Sequence, residues 1–294
     1  MLEDPRAGTA NQALGIAERL GVPFRRVKLR FGALAGVPWP WPTLAGLADH
    51  SAFAPPWPRL VVSAGRRAAP VARWLGRRGA RLVHCMRPGW GAGEFDLLVL
   101  GSHDGAAPGA NMLEILGSTH RVTPAALAAA PLLHPAPEIA LLLGGPVRGV
   151  GMDVTLAVKI AQQTAELGRF LWVTTSRRTG EAATEAVAAA LAATPHRLHR
   201  FGGDGPNPYL SLLAQAKRIV VTGDSVSMLS EALMSPAPLL VAEPPWLGRR
   251  HRALLEALVS RGLAAPLGSA PPPPRAPLDE TGRVAQLIRQ RGWI

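Results

Sequence analysis

The segment Val221–Glu231, Val-Thr-Gly-Asp-Ser-Val-Ser-Met-Leu-Ser-Glu, concentrates groups that suit an anionic sugar ligand. An apolar run from Arg218 to Val221 stops at a Gly-Asp-Ser turn and enters a helix-forming stretch that carries Glu231. A strand, a tight turn and a helix start are the arrangement by which α/β proteins hold phosphate groups. Asp224 or Ser225 is placed to cap the helix, and the N–H groups of its first turn then face outward. Glu231 follows one turn after Ser227, where a carboxylate can accept hydrogen bonds from a ribose. The same residues also fit an ordinary capped helix with an exposed Glu, and the segment alone does not separate the two.

Two other apolar runs end in related chemistry. Leu141-Leu142-Leu143 runs into Gly144-Gly145-Pro146, where missing side chains let a ligand approach the backbone or simply allow a tight turn. Trp172-Val173-Thr174-Thr175 runs into Ser176-Arg177-Arg178-Thr179-Gly180, and Arg forks suit a diphosphate. In the first half, Asp4 opens a polar loop through Arg6, Gly8, Asn11 and Gln12; Gly65-Arg66-Arg67 closes a second run, and Ser102-His103-Asp104 a third. Asp4, His103 or Asp104 could serve as a general base toward a cleft between the halves, or each could satisfy loop backbone. His196 and His199 have no third ligand at metal-site spacing. There is no Walker loop, no Gly-x-Ser-x-Gly and no Gly-x-Gly-x-x-Gly. A Tyr-x-x-x-Lys pair is missing too, since Tyr209 is followed four residues later by Leu213, which weakens an NAD-dependent epimerase reading.

These loops need parallel strands to carry them, and the pattern supplies the strands. Short apolar runs alternate with helical periodicity throughout, predicting an α/β protein of two Rossmann-like domains. Strands are expected at 25–29, 60–63, 81–85 and 95–100, then at 139–143, 170–174, 197–201, 218–221 and 239–241. Helices are expected at 10–20, 68–78 and 124–130, then at 153–167, 181–192, 208–215, 225–234 and 249–261. The three prolines of Pro131–Pro137 suggest a linker between an N-terminal acceptor domain, 1–134, and a C-terminal donor domain, 138–268. A terminal helix, within 275–294, follows a second Pro-rich break. The first helix begins so soon after Met1 that its feeding strand is nearly missing. A clipped N-terminus is the preferred explanation, over a sheet that lacks the strand.

Composition narrows the classes. The chain has 294 residues, 48% of them hydrophobic, and no apolar run of the roughly 18–20 residues that span a bilayer. One cysteine, Cys85, allows no internal disulfide and no metal framework, so a cytoplasmic protein is expected. The net charge is 32 − 20 = +12, but only Lys28, Lys159 and Lys217 are lysines, and the arginines fall in scattered pairs. Scattered pairs suit local phosphates or anionic lipid better than a nucleic-acid track. The Pro-rich stretch 37–58, with Trp39, Trp41 and Trp57, either packs under a loop or anchors at a membrane interface.

Taken in order, Arg6-Ala7-Gly8…Asn11-Gln12, Pro56-Trp57-Pro58…Gly65-Arg66-Arg67, His103-Asp104, Gly144-Gly145-Pro146, Thr175–Thr179 and Asp224-Ser225-Val226-Ser227-Met228…Glu231 resemble the mitochondrial fission protein family, named for a plant elongated-mitochondria protein. The resemblance covers nearly the whole chain. Bacterial members carry glycosyltransferase or nucleotide-sugar epimerase labels, and the plant member is held to recruit a dynamin-like protein. The 224–231 segment is also similar to the donor helix of two-domain GT-B glycosyltransferases. That similarity implies a GT-B-like fold with two domains facing a cleft, a nucleotide-diphosphate sugar as donor, and no metal or other cofactor. It implies diphosphate contacts from Ser225, Ser227 and nearby backbone, a ribose contact from Glu231, offset of leaving-group charge by Arg177, and Asp4 or His103 as base. The implied acceptor is a lipid-linked or envelope glycan on the inner face of the membrane, with a non-catalytic recruitment protein as the alternative.

Overall fold

The computed structural model describes residues 1–105, 109–146 and 151–294, and divides into two compact units. The first unit takes Met1–Arg121 together with Asp279–Ile294, and the second takes Val122–Leu278. This differs from the sequence expectation in two ways. Pro131–Pro137 is not a linker but part of the second unit: Leu133 N–H donates to Gln215 Oε1 (2.9 Å), Gln215 Nε2 to the Pro131 carbonyl (2.7 Å) and Trp172 Nε1 to the Pro135 carbonyl (3.0 Å). The terminal helix, expected as a separate segment after the second Pro-rich break, belongs to the first unit.

In the first unit the elements run β1 (Leu2–Glu3), α1 (Ala7–Arg19), β2 (Val27–Lys28), β3 (Leu60–Ala64), α2 (Ala69–Gly76), β4 (Arg81–Cys85), β5 (Leu97–Gly101) and β6 (Met112–Ile115). Strands β3-β4-β5-β6 form a parallel sheet in that order, and β1 pairs in parallel with β2 beside β3. The feeding strand, expected to be nearly missing, is the two residues of β1. Strand β6 was not expected from the sequence. It is an edge strand, half-buried with Glu114 exposed, so it lacks the continuous apolar signature of its neighbours.

The second unit contains α3 (Pro124–Ala128), β7 (Ile139–Leu143), α4 (Val154–Ala165), β8 (Leu171–Thr175), α5 (Glu181–Ala190), β9 (His196–His199), α6 (Tyr209–Gln215), β10 (Arg218–Thr222), α7 (Val226–Ala232), β11 (Leu239–Ala242), α8 (Arg249–Ser260) and β12 (Ala265–Pro266). Its six strands are all parallel in the order β12-β11-β10-β7-β8-β9. Every residue of β7 is fully buried, as a central strand covered on both faces requires, which explains the unbroken run Ile139–Leu143. Strand order reverses between β7 and β10. Open α/β sheets bind ligands beyond the strand C-termini at such a reversal.

The last helix, α9 (Glu280–Gln290), buries Val284, Ala285 and Ile288 in a core shared with Ala13 and Ile16 of α1 and Leu20 just after it. Asp279 caps it by accepting from Gly282 N–H (2.8 Å), and pairs with Arg19 of α1 (2.7 Å). Glu280 accepts from Leu116 N–H (2.8 Å). Among the described residues no helix is long and apolar enough to cross a membrane.

Candidate functional site

The loops after β7, β8 and β10 meet at the reversal point of the second unit's sheet. Gly144 N–H donates to Thr222 Oγ1 (2.8 Å) and Gly145 N–H to Asp224 Oδ2 (2.7 Å), tying β7 to β10. Arg178 donates from Nη1 to the Gly145 carbonyl (2.7 Å) and lies 3.3 Å from Asp224 Oδ2. Thr179 Oγ1 reaches the carbonyls of Leu143 (2.9 Å) and Gly144 (2.7 Å), and the Ser176 N–H donates to it (2.9 Å). Three separate strand ends are therefore knotted by a buried carboxylate, a guanidinium and two threonine hydroxyls.

This knot changes how several candidates read. A Cβ on Gly144 would stand 2.7 Å from Asp224 Oδ2, and one on Gly145 would stand 2.0 Å from the Arg178 carbonyl. The two glycines make room for the protein's own groups. Asp224 is buried and engaged, and Thr179 is wholly enclosed, so both shape the loops. Ser225 is the N-cap of α7, accepting from Met228 N–H at 3.4 Å. With only seven residues α7 has a short dipole, so an anion here would lean on side chains rather than on the helix. Those that remain available are Ser227, half-buried without a hydrogen-bond partner among the described residues, and Arg177, exposed and outside every ion pair found among them. Arg177 and Ser176 line a cavity of about 360 Å³ with Glu181, Arg200 and the exposed Phe201.

Glu231 is partly buried on the last turn of α7, and Tyr209, first residue of α6, donates its phenol to Oε2 at 2.6 Å. Burial raises the Glu231 carboxyl above its ordinary value, and the phenol's hydrogen bond partly opposes that. Burial and the adjoining carboxylate push the tyrosine well above its usual range. A second residue missed from sequence is His251, in the first turn of α8. Burial lowers it, Asp224 opposes that shift and Arg178 adds to it, which places the imidazole beside the knot. Neither residue had a local signal: each reaches the site from a different βα unit.

In the first unit, Asp4 is not a solvent-facing base. It is 4% exposed, it accepts from Arg6 N–H (2.8 Å), and Arg67 Nη2 grips both its oxygens (2.8 and 3.1 Å). Arg67 also stacks over Phe31, 4.3 Å from the ring centre. Gly65, at φ +81°, lets Thr9 come close, since a Cβ there would lie 2.8 Å from its methyl. The loops after β1 and β3 are thus joined, a contact the sequence did not indicate. Arg6, Gly8 and Arg66 are exposed beside them, while Asn11 and Gln12 are half-buried, with the Gln12 carbonyl taken by Thr119 Oγ1 (3.0 Å). His103 and Asp104 form a short 3₁₀ turn after β5, with the imidazole folded over Gly101 and the Asp104 carbonyl held by Arg87.

The sequence profile described as Mitochondrial fission ELM1 matches residues 7–292. The chain belongs to this family. An uncharacterized protein of Rickettsia prowazekii (strain Madrid E) is 24% identical, with 98% of this chain and 97% of that protein aligned. The mitochondrial fission protein ELM1 of Arabidopsis thaliana is also 24% identical, over 80% of this chain and 65% of its own length. Among solved structures, MurG of Acinetobacter baumannii superposes with a TM-score of 0.54 at 13% identity, covering 100% of this chain and 91% of that one. The glycotransferase of kitacinnamycin gives 0.56 at 13%, covering 99% and 97%. At these identities the likeness establishes the fold: this ELM1-family chain is GT-B-like, built from two Rossmann-like α/β units.

Proposed function

We propose that this protein is a glycosyltransferase that moves a sugar from a nucleotide-diphosphate donor to a lipid-linked or envelope-glycan acceptor. The observation that carries the reading is the loop cluster at the sheet reversal of the second unit, with a half-buried carboxylate, Glu231, one turn past the hydroxyl of Ser227, which has no hydrogen-bond partner among the described residues. In this reading Ser227 and Arg177 take the diphosphate, Glu231 takes the ribose, and the knot around Asp224 and Arg178 keeps the loops in place. The acceptor hydroxyl forms a bond to the anomeric carbon as the bond from that carbon to the diphosphate oxygen breaks. The electron pair leaves with the diphosphate, whose charge Arg177 offsets, and the acceptor proton passes to a base. His103 suits that base better than Asp4, which Arg67 already neutralises.

Attachment to a membrane surface belongs to the same proposal. Trp41 is 57% and Trp90 61% exposed, and their chain neighbours meet at Arg73, which bonds the Pro40 carbonyl (2.8 Å) and lies against Gly91. Val37 is exposed in the same Pro-rich stretch as Trp41, and Leu34 just before it. A non-catalytic recruiting role is the second reading, favoured by the name of the Arabidopsis relative and by this same apolar surface.

Calorimetry with UDP, GDP, CDP, ADP and their sugars separates the two. The transferase reading expects at least one to bind, and Glu231→Ala to weaken it roughly tenfold or more, as the loss of hydrogen bonds to a charged group would. Absence of binding by every nucleotide leaves the recruiting role.

A further inference from the structure

We propose that Tyr209 is a positioning residue for nucleotide recognition: its phenol fixes the Glu231 carboxylate by one oxygen so that the other reads a ribose diol. The inference rests on the nucleotide-sugar reading above and names a residue that reading does not contain.

Tyr209 is rooted from both sides. Its own N–H donates to Asn207 Oδ1 (3.0 Å), and the buried Pro208 before it restricts the backbone. The phenol therefore arrives at α7 from a fixed point at the start of α6. At 2.6 Å its bond to Glu231 Oε2 is short, as expected for a hydroxyl donating to an ionised carboxylate. Among the described residues that bond is the carboxylate's only one, and Oε1 is not among the buried polar atoms that lack a partner. One oxygen is thus anchored, and the other has no partner among the described residues and is not fully enclosed.

A carboxylate has about four acceptor positions, and a vicinal diol offers two donors. Glu231 Oε1 and the spare lone pairs beside the phenol form a two-point acceptor whose plane Tyr209 sets. The phenol also supports the charge. Tyr209 is the one titratable group acting on Glu231 among the described residues, and it opposes the effect of burial. Without it the carboxylate would both rotate and protonate more readily, and a protonated carboxyl makes a poorer acceptor for a diol.

The test uses the full-length protein, UDP, GDP, CDP and ADP, and the 2′,3′-dideoxy form of each. For any ribonucleotide that binds, Tyr209→Phe should weaken affinity roughly tenfold at neutral pH, and by more as the pH is lowered. Affinity for the dideoxy form should be unchanged, because it has no diol to present. In the ligand-free protein, ¹³C-detected titration of the Glu231 carboxyl should move upward in Tyr209→Phe. An equal loss for both sugar forms, or no loss in either, overturns the role of Tyr209 while leaving nucleotide binding intact. An unmoved Glu231 titration overturns it without any ligand. If the wild-type protein binds none of the nucleotides, this inference and the transferase reading fall together.

Discussion

His84 shows how a single side chain can set the acid limit of a domain. It is fully buried on β4, accepts or donates at Nδ1 with Ser63 Oγ (2.8 Å) and lies against Phe95, ring centres 4.8 Å apart. Burial lowers it to about 3, so the folded protein holds it neutral, whereas the unfolded chain protonates it near 6.5. With the folded value depressed, its stabilising contribution is complete above pH 6.5 and is lost as pH falls toward 3. Urea unfolding from pH 7 to pH 3.5 should therefore show a decline of a few kcal/mol that His84→Phe flattens, even where the variant is less stable at neutral pH. An unchanged slope would assign the acid sensitivity elsewhere. Neighbouring Cys85 is the counterpart: burial pushes its thiol up to about 12, which makes it an inert core residue. Residue-scale legibility followed reach along the chain. Ser225 as a cap could be read from its place before a helix. The Tyr209–Glu231 and Asp4–Arg67 contacts could not, because 22 and 63 positions separate partners that only the crossover connections bring together.

At the scale of elements, β7 was legible to the residue, since a buried parallel strand carries an uninterrupted apolar signature, and so was β4 around its Leu82-Val83 centre. Strand β6 lacked that signature because one side of it is solvated. Helix α9 was legible as a helix, but its destination was not, because amphipathicity reports that a face is buried and not against what. Its docking depends on Asp279, which serves as N-cap and as partner of Arg19. Asp279→Ala should cost about 1–3 kcal/mol by removing both roles, and Asp279→Asn, which can still cap, should recover part of it. Amide exchange should quicken over Glu280–Gln290 and the facing residues of α1, with β7–β11 unaffected. Uniform acceleration across both units would contradict a local role.

For the molecule as a whole, the charge of +12 and the exposed Trp41 and Trp90 bear on the proposed membrane contact rather than on the fold. Co-sedimentation with vesicles containing phosphatidylglycerol should exceed that with neutral phosphatidylcholine, weaken with added salt, and drop several-fold in the Trp41→Ser, Trp90→Ser double variant. Equal sedimentation by the double variant would remove this face from membrane contact. Two Rossmann-like halves were legible from the alternation of runs; the boundary at Arg121–Val122 was not, because no Pro- or Gly-rich break marks it.

The return of α9 to the first unit has a consequence for biosynthesis. The second unit is one continuous stretch, Val122–Leu278, whereas the first leaves the side of α1 turned toward Val284, Ala285 and Ile288 uncovered until Glu280–Gln290 has left the ribosome. The half that is translated first is therefore completed last. Between those moments the nascent chain carries an open hydrophobic surface of its own, which is the part of its lifetime when a ribosome-associated chaperone has something to hold.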